Sequence, residues 1–150
     1  MKITCGIFLF NKDNKLLICH VTNSKNQWSI PKGLVDNDED YIDAAIRELR
    51  EETSIVLENP QLEFIGDFKY KKTSKILKAF LYKIDYFINK DNLVCESMVN
   101  LYGKYFPEVD KHKWVSIEEA INVIHLTQIS ALSKISLKLL NKKLDISINL

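Results

Sequence analysis

Three glutamates lie close together in the segment Arg47–Glu52. In a helix, Glu48 and Glu52 form an i,i+4 pair with Glu51 between them, so the three carboxylates share an arc about 100° wide. Carboxylates at that spacing repel one another, and a divalent cation removes the repulsion because Mg²⁺ and Mn²⁺ prefer oxygen ligands. The segment is therefore interpreted first as a metal site and second as a solvated helix face.

Residues around this segment extend the pattern. With U for an aliphatic residue, the sequence follows G-x5-E-x7-R-E-U-x-E-E-x-G-U at every fixed position except one, where Ser54 replaces the second glycine. The matching residues are Gly33, Glu39, Arg47, Glu48, Leu49, Glu51, Glu52 and Ile55. This segment resembles the Nudix box of the Nudix hydrolases. A serine in place of glycine just after the helix puts the helix end in question, and leaves the carboxylates unaffected.

The resemblance implies a reaction and a set of roles. Nudix enzymes cleave a nucleoside diphosphate linked to another group X, by attack of water on phosphorus. By resemblance, Glu48, Glu51 and Glu52 match the metal-holding positions, and the backbone carbonyl of Gly33 matches a further ligand. Mg²⁺ is the expected cofactor, with Mn²⁺ as the alternative. We expect Glu51 and Glu52 to be catalytic, together with Arg47, whose guanidinium can hold the carboxylate of Glu51.

Two glutamates outside the three-carboxylate cluster have expected roles. By the resemblance, Glu39 braces the loop that leads into the helix. Glu108 lies six residues before Trp114, and in Nudix enzymes resembling the diadenosine tetraphosphate hydrolases a glutamate before the equivalent tryptophan reaches the metal cluster. Glu108 could therefore bind a metal or act as the general base, and an exposed loop acid is the alternative.

The lead into the box narrows the expected substrate. Its W-x-x-P-K-G pattern, Trp28–Gly33, resembles dinucleoside polyphosphate hydrolases, and also mRNA-decapping and RNA 5′-pyrophosphohydrolase relatives. Lys32 and Lys75 can each place a positive charge on a polyphosphate chain. Aromatic side chains near the lysines, such as Tyr82, could stack on a base, although aromatic residues in strands are more often part of the core. The residues predicted to bind substrate are Trp28, Lys32, Lys75 and Tyr82.

Hydrophobic patterns predict one α/β domain over residues 1–150. The predicted extended segments are 3–10, 16–21, 28–33, 62–70, 76–86 and 113–115. The predicted helices are 40–53 with Asp40 as N-cap, 116–125 with a capping box at Ser116, and a last helix capped by Thr127. Residues 89–107 show no clear period. The family resemblance sharpens the prediction to an α/β/α sandwich with a mixed sheet between helices.

Composition limits the partners. A net charge of +1 argues against a broad nucleic-acid surface, although an RNA 5′ end stays possible. The cysteines Cys5, Cys19 and Cys95 form no C-x-x-C pair and are expected to be buried thiols. No signal peptide or membrane span is apparent, so we expect a cytoplasmic protein without a membrane partner, either a monomer or a homodimer.

The sequence thus predicts a metal-dependent pyrophosphohydrolase whose substrate is a small nucleotide or dinucleotide, with diadenosine tetraphosphate first. Two alternatives stay open. One is an RNA 5′-end pyrophosphohydrolase, and the other is a non-catalytic Nudix domain that senses nucleotides.

Overall fold

The computed structural model describes residues 1–148 as a sheet with helices on both faces. The strands are β1 (Lys2–Phe10), β2 (Leu16–Val21), β3 (Trp28–Ser29), β4 (Lys32–Leu34), β5 (Glu63–Lys69), β6 (Lys75–Lys83), β7 (Met98–Leu101), β8 (Lys104–Pro107) and β9 (Val109–Val115). The helices are α1 (Tyr41–Thr53), α2 (Ile117–Ile121) and α3 (Leu126–Ile148), with a short 3₁₀ turn at Lys90–Asn92. In the part of the chain that the structure describes, no helix has both the length and the hydropathy to cross a bilayer.

The sheet is mixed and is organised around β1. Strand β6 runs parallel to the whole of β1, from Lys2↔Lys75 to Phe10↔Lys83, and β5 pairs antiparallel with the other side of β6. The remaining edge of β1 is shared, because β4 pairs with its first half and β2 only with its last residue, Phe10. The predicted extended segments at 3–10 and 16–21 are therefore confirmed, but β2 diverges from β1 and pairs with β9 and β3 instead.

Two hydrophobic cores lie on opposite faces of the sheet. Because side chains alternate along a strand, Phe8 and Phe10 of β1 pack toward α3, while Ile7 and Leu9 pack toward α1. All four are buried. A strand buried on both faces requires a helical layer on each side, so the predicted α/β/α sandwich is confirmed.

Helix α1 begins and ends with defined caps. The Asp40 side chain accepts a hydrogen bond from Ile42 N at 2.8 Å, which confirms it as the N-cap. Ser54 ends the helix in a left-handed conformation, with φ 66° and ψ 9°, and its N–H donates to Arg50 O. The Ser54 hydroxyl donates to Val94 O at 2.6 Å, a contact that glycine could not make. This bond offsets the conformational preference for glycine at that position.

The predicted bounds of the last two helices were wrong. The capping box of Ser116 and Glu119 is present, but α2 stops at Ile121 rather than near residue 125, because Ile124 forms a β-bridge with Trp28. Thr127 does not cap α3. The ring nitrogen Nδ1 of His125 accepts a hydrogen bond from Thr127 N at 3.1 Å, so the helix begins two residues earlier than predicted.

The segment without a clear period contains a hairpin that stands apart from the main sheet. Among the residues that the structure describes, strands β7 and β8 pair only with each other, from Met98↔Pro107 to Leu101↔Lys104. The turn between them consists of Tyr102 and Gly103, both with positive φ. All four residues of β8 are exposed to solvent, so the hydrophobic pattern that usually marks a strand was missing from the sequence.

Candidate active site

A cleft with a volume of about 720 Å³ gathers most of the predicted site residues. Its walls come from β3, β4, α1, the loop before β6, the β7–β8 hairpin and the start of α3. The predicted residues among its lining are Trp28, Lys32, Gly33, Glu48, Glu51, Glu52, Lys75 and Glu108. Residues from positions 28 to 108 therefore meet in one space, as the predicted metal and phosphate chemistry requires.

Gly33 and Glu48 are packed against each other. A Cβ atom built on Gly33 would overlap the carboxylate of Glu48, so a side chain at this position would force that carboxylate to move. Next to this contact, Lys32 N donates to Glu52 Oε2 at 2.8 Å. Strand β4 thus contacts the acidic face of α1 through two adjacent residues.

Arg47 connects the loop before α1 with two of the carboxylates. Its Nε and Nη2 donate to the two carboxylate oxygens of Glu39 at 2.8 and 2.9 Å. Its Nη1 donates to Glu48 at 2.9 Å and to Glu51 at 3.2 Å, and Nη2 also donates to Leu34 O. The guanidinium lowers the pKa of Glu39, and the pKa of Arg47 itself is raised, chiefly by its bond with Glu39. Arg47 therefore positions the carboxylates rather than lining the cleft.

Burial raises the pKa values of two carboxylates of the site. Glu48 is 7% exposed and Glu52 8% exposed. Burial, with the charge of Glu51, raises the pKa of Glu48 to about 6, against the opposing effect of Arg47. Burial, with the charges of Glu48 and Glu108, raises the pKa of Glu52 to about 8, against the opposing effect of Lys32. The influence of Glu108 on both groups shows that it shares their electrostatic environment.

These residues fit a divalent cation by their chemistry. Among residues 1–148 no three acidic, histidine or cysteine side chains already stand at metal-ligating distances, since Arg47 engages Glu48 and Glu51 and the Lys32 N–H engages Glu52. The donors available are nevertheless all oxygens. A bound cation would stabilise the ionised forms of Glu48 and Glu52, which burial and mutual repulsion disfavour. Glu48, Glu51 and Glu52 would hold the cation, with the Gly33 carbonyl and Glu108 as further ligands.

Of the two aromatic residues predicted to bind substrate, Trp28 lines the cleft and Tyr82 does not. Trp28 is buried at the wall of the cleft, where Nε1 donates to Asn26 Oδ1 and the ring edge meets His20. Tyr82 is absent from the cleft lining among the described residues, and it packs against the core on the α1 side. Its register partner in β1 is Leu9, which faces the same core. The structure therefore does not bring Tyr82 to the site.

Several cleft residues come from α3 and from the segment that precedes it. The ring of His125 contacts the ring of Tyr70, with centroids 5.2 Å apart. Gln128 is fully buried and joins two parts of the wall, because it accepts from Ile30 N at 3.0 Å and donates to Ser29 Oγ at 2.9 Å. His125 has no ligand spacing in the sequence, and Gln128 carries no local signal, since its partners lie almost one hundred positions away.

His112 contacts the C-terminal end of α1. Its Nε2 lies 2.8 Å from the backbone oxygen of Glu52, to which a neutral ring can donate. Burial lowers the pKa of His112, and this favours the neutral ring. The contact links β9 to the end of α1, between residues 60 positions apart.

The fold and the site define an α/β domain built around a carboxylate cleft. Within that class, residues 2–134 match the NUDIX domain family, so the chain belongs to this family and is a Nudix hydrolase. The resemblance of the box and the expectation of an enzyme are thereby confirmed. Nudix hydrolases generally use divalent metal ions, in keeping with the oxygen donors of the cleft.

Individual relatives differ in the substrates their names state. The RNA pyrophosphohydrolase of Pelagibacter ubique is 34% identical over 133 residues, which cover 79% of this chain and 78% of that protein. The asymmetrical bis(5′-nucleosyl)-tetraphosphatase of Mus musculus is 26% identical over 138 residues, covering 85% and 87%. The crystal structure of a C. elegans Ap4A hydrolase binary complex superposes with a TM-score of 0.69 at 26% identity, covering 94% of this chain and 99% of that one.

Proposed function

We propose that this Nudix hydrolase is a metal-dependent pyrophosphohydrolase that cleaves a dinucleoside polyphosphate, with diadenosine tetraphosphate as the first substrate. The observation that carries the proposal is the cleft, in which four glutamates face the same space as Lys32 and Lys75. Such an arrangement combines a cation site with positive charges for a polyphosphate chain. The similarity to the mouse tetraphosphatase and the C. elegans Ap4A hydrolase supports the choice of substrate.

Each group has a proposed part in the reaction. When bound, Mg²⁺ or Mn²⁺ supplies charge neutralisation and lowers the pKa of a bound water. Lys32 and Lys75 bind phosphates remote from the scissile bond. Glu51, Glu52 and Glu108 are the candidates for accepting the proton of the attacking water, and Arg47 keeps Glu51 oriented through its bond at 3.2 Å.

The far wall of the cleft offers an aromatic surface for one nucleobase. Tyr70 and His125 contact each other there. Burial and the charge of Lys32 lower the pKa of His125, which favours the neutral ring, and a neutral ring is suited to contact with an uncharged base.

A second candidate function is removal of pyrophosphate from an RNA 5′ end. The specific observation in its favour is the RNA pyrophosphohydrolase of Pelagibacter ubique, which is more similar in sequence, at 34%, than the mouse tetraphosphatase at 26%. The opposing observation is the net charge of +1, which offers little attraction to a long polyanion.

A substrate panel separates these functions. Purified protein is incubated with diadenosine tetraphosphate or a short 5′-triphosphorylated RNA, in Mg²⁺, Mn²⁺ or excess chelator, and products are identified by mass. Asymmetric hydrolysis of the dinucleotide consumes one water and gives ATP and AMP, whereas the RNA yields a 5′-monophosphate and pyrophosphate. We expect hydrolysis of the dinucleotide. Chelator should abolish this activity, and Glu52→Gln should reduce it by at least ~100-fold. Tight nucleotide binding without turnover of either substrate would indicate a sensing domain and overturn the proposal.

We also propose that the enzyme is cytoplasmic. Cys5 and Cys19 are free and buried, and Cys95 is half-buried rather than buried as expected. Burial raises the pKa of the Cys5 thiol to about 11 and that of Cys19 well above its ordinary value, so both thiols are unreactive. Free thiols of this kind suit a reducing compartment.

A further inference from the structure

A second cavity lies beside the cleft, under the β7–β8 hairpin. Its volume is about 370 Å³. Its lining consists of Thr22, Asn23, Leu101, Tyr102, Lys104 and Phe106. Thr22 and Leu101 also line the cleft, so the two spaces are adjacent.

The tip of the hairpin breaks two local rules. Tyr102 has φ 55°, in the left-handed region where a bulky residue is unfavourable, and its side chain is 98% exposed. The following Gly103 also has positive φ, and its N–H donates to Asn100 Oδ1 at 3.0 Å. Asparagine or glycine would suit the position of Tyr102 better. Tyr102 therefore presents its aromatic ring to solvent from a backbone conformation that does not favour tyrosine.

Other groups around the cavity are suited to the same ligand. Phe106 is 40% exposed and adds a second aromatic side chain, and Lys104 adds a positive charge. The hydroxyl of Thr22 is buried in the wall shared with the cleft and has no hydrogen-bond partner among the described residues. Two aromatic rings and one cation match a nucleoside that is joined to phosphate.

The base of the hairpin is fixed to the carboxylate site. Glu96 N and Ser97 N donate to the backbone oxygen of Glu51, at 2.6 and 3.3 Å. Glu108 N donates to Ser97 O at 2.9 Å, and Thr22 N donates to Glu108 O at 3.0 Å. The cavity is thus held in register with Glu51 and Glu108, which flank the proposed reaction.

We propose that this second cavity binds the second nucleoside of the substrate, with its base stacked on Tyr102 and Phe106 and a phosphate near Lys104. The inference rests on the proposed function, because it concerns the group X to which the first nucleotide is linked. A dinucleoside polyphosphate and an RNA 5′ end both carry such a nucleoside, whereas a mononucleoside polyphosphate carries none.

The test compares substrates with and without the second nucleoside. Steady-state kinetics are measured for diadenosine tetraphosphate, adenosine 5′-tetraphosphate and a 5′-triphosphorylated dinucleotide RNA. The test variant is Tyr102→Asn, because asparagine accepts the left-handed backbone and keeps the turn. The control is Tyr105→Asn, which removes an exposed aromatic side chain of the same hairpin that lines neither cavity. Loss of one base stack corresponds to about a 10-fold rise in KM.

We expect Tyr102→Asn to raise KM about 10-fold for at least one substrate with two nucleosides and to leave adenosine 5′-tetraphosphate unchanged, with Tyr105→Asn unchanged throughout. The substrate affected, dinucleotide or RNA, identifies the source of the nucleoside. Equal effects on all three substrates, no effect on any, or equal effects of the two variants would overturn the inference. If the wild type turns over none of them, the proposed function fails, and the inference is decided by calorimetry: a Kd for diadenosine tetraphosphate unchanged by Tyr102→Asn overturns it.

Discussion

The titration of Glu52 links the active site to the stability of the whole domain. The Glu52 carboxyl is buried next to Lys32 and Glu48. Burial, together with the charge of Glu48, raises its pKa from the ordinary 4.5 to about 8. We therefore predict that the metal-free chain loses stability as pH rises through this range. The native state retains the Glu52 proton to a higher pH than the unfolded chain, so it binds more protons between pH 4.5 and pH 8, and the free energy of unfolding falls with pH.

The magnitude follows from the two pKa values. For one group with 4.5 in the unfolded chain and about 8 in the fold, the loss between pH 5 and pH 8 is about 3 kcal/mol. In a domain of this size that loss corresponds to a decrease of roughly 6–12 °C in Tm. Glu48, with its pKa raised to about 6, adds a smaller loss in the lower part of the same range.

The assay is thermal or urea unfolding in excess chelator at pH 5, 6, 7 and 8, for the wild type and for Glu52→Gln. Glutamine is a matched replacement because its amide oxygen can still accept from Lys32 N. We expect the wild type to lose about 3 kcal/mol more than the variant across the range, and Mg²⁺ to restore the wild type at pH 8 but not the variant. Parallel pH profiles would refute the reasoning, because Glu52 would then titrate alike in the folded and unfolded states.

Three further predictions test the packing around the site. Gly33→Ala places a methyl group against the Glu48 carboxylate, so kcat should fall by at least ~100-fold with a folded protein by circular dichroism; wild-type kcat would mean that the contact is not needed. Lys75→Ala should lower kcat/KM for diadenosine tetraphosphate about 10-fold, because Lys75 lines the cleft. The control Lys72→Ala, at an exposed position, should change kcat/KM less than about 2-fold. Equal losses in the two variants would mean that general positive charge, and not a placed contact, holds the substrate. Ser54→Ala should destabilise the domain by about 1 kcal/mol, since it loses the bond to Val94 O and keeps the left-handed backbone; Ser54→Gly should stay within about 0.5 kcal/mol in urea unfolding, and the opposite order would contradict this balance.

The sequence predicted the parts of the site that follow from local periodicity. The spacing of Glu48, Glu51 and Glu52 fixes their common direction on any helix, and Asp40 marks where that helix begins. Arg47 has Glu51 one turn away, so the contact observed between them was implied by the i,i+4 spacing. Interactions within a helix depend on residues three or four positions apart, and a single sequence displays them directly.

Local spacing in the sequence does not reveal which strands pair. Several extended segments were predicted close to their bounds, but 28–33 is divided between β3 and β4, and 113–115 is only the end of β9. The partner of β2 is β9, almost one hundred positions later in the chain. Strand pairing also decides on which side of the sheet the Tyr82 side chain lies, because its register with Leu9 places it on the α1 side. Alternation along a strand divides side chains between two faces, but only the assembled sheet decides which face borders the cleft.

What the sequence determined by itself is therefore the chemistry of α1: an acidic helix with its cap, its arginine and its glycine-bearing lead, whose pattern resembled the Nudix box. The tertiary structure alone decided what surrounds that helix. It placed His125 and Gln128 in the wall of the cleft, set the hairpin beside Glu108, and turned Tyr82 away. The physical reason is that these contacts join residues far apart in the chain, and their energies depend on burial and packing, which no local spacing records.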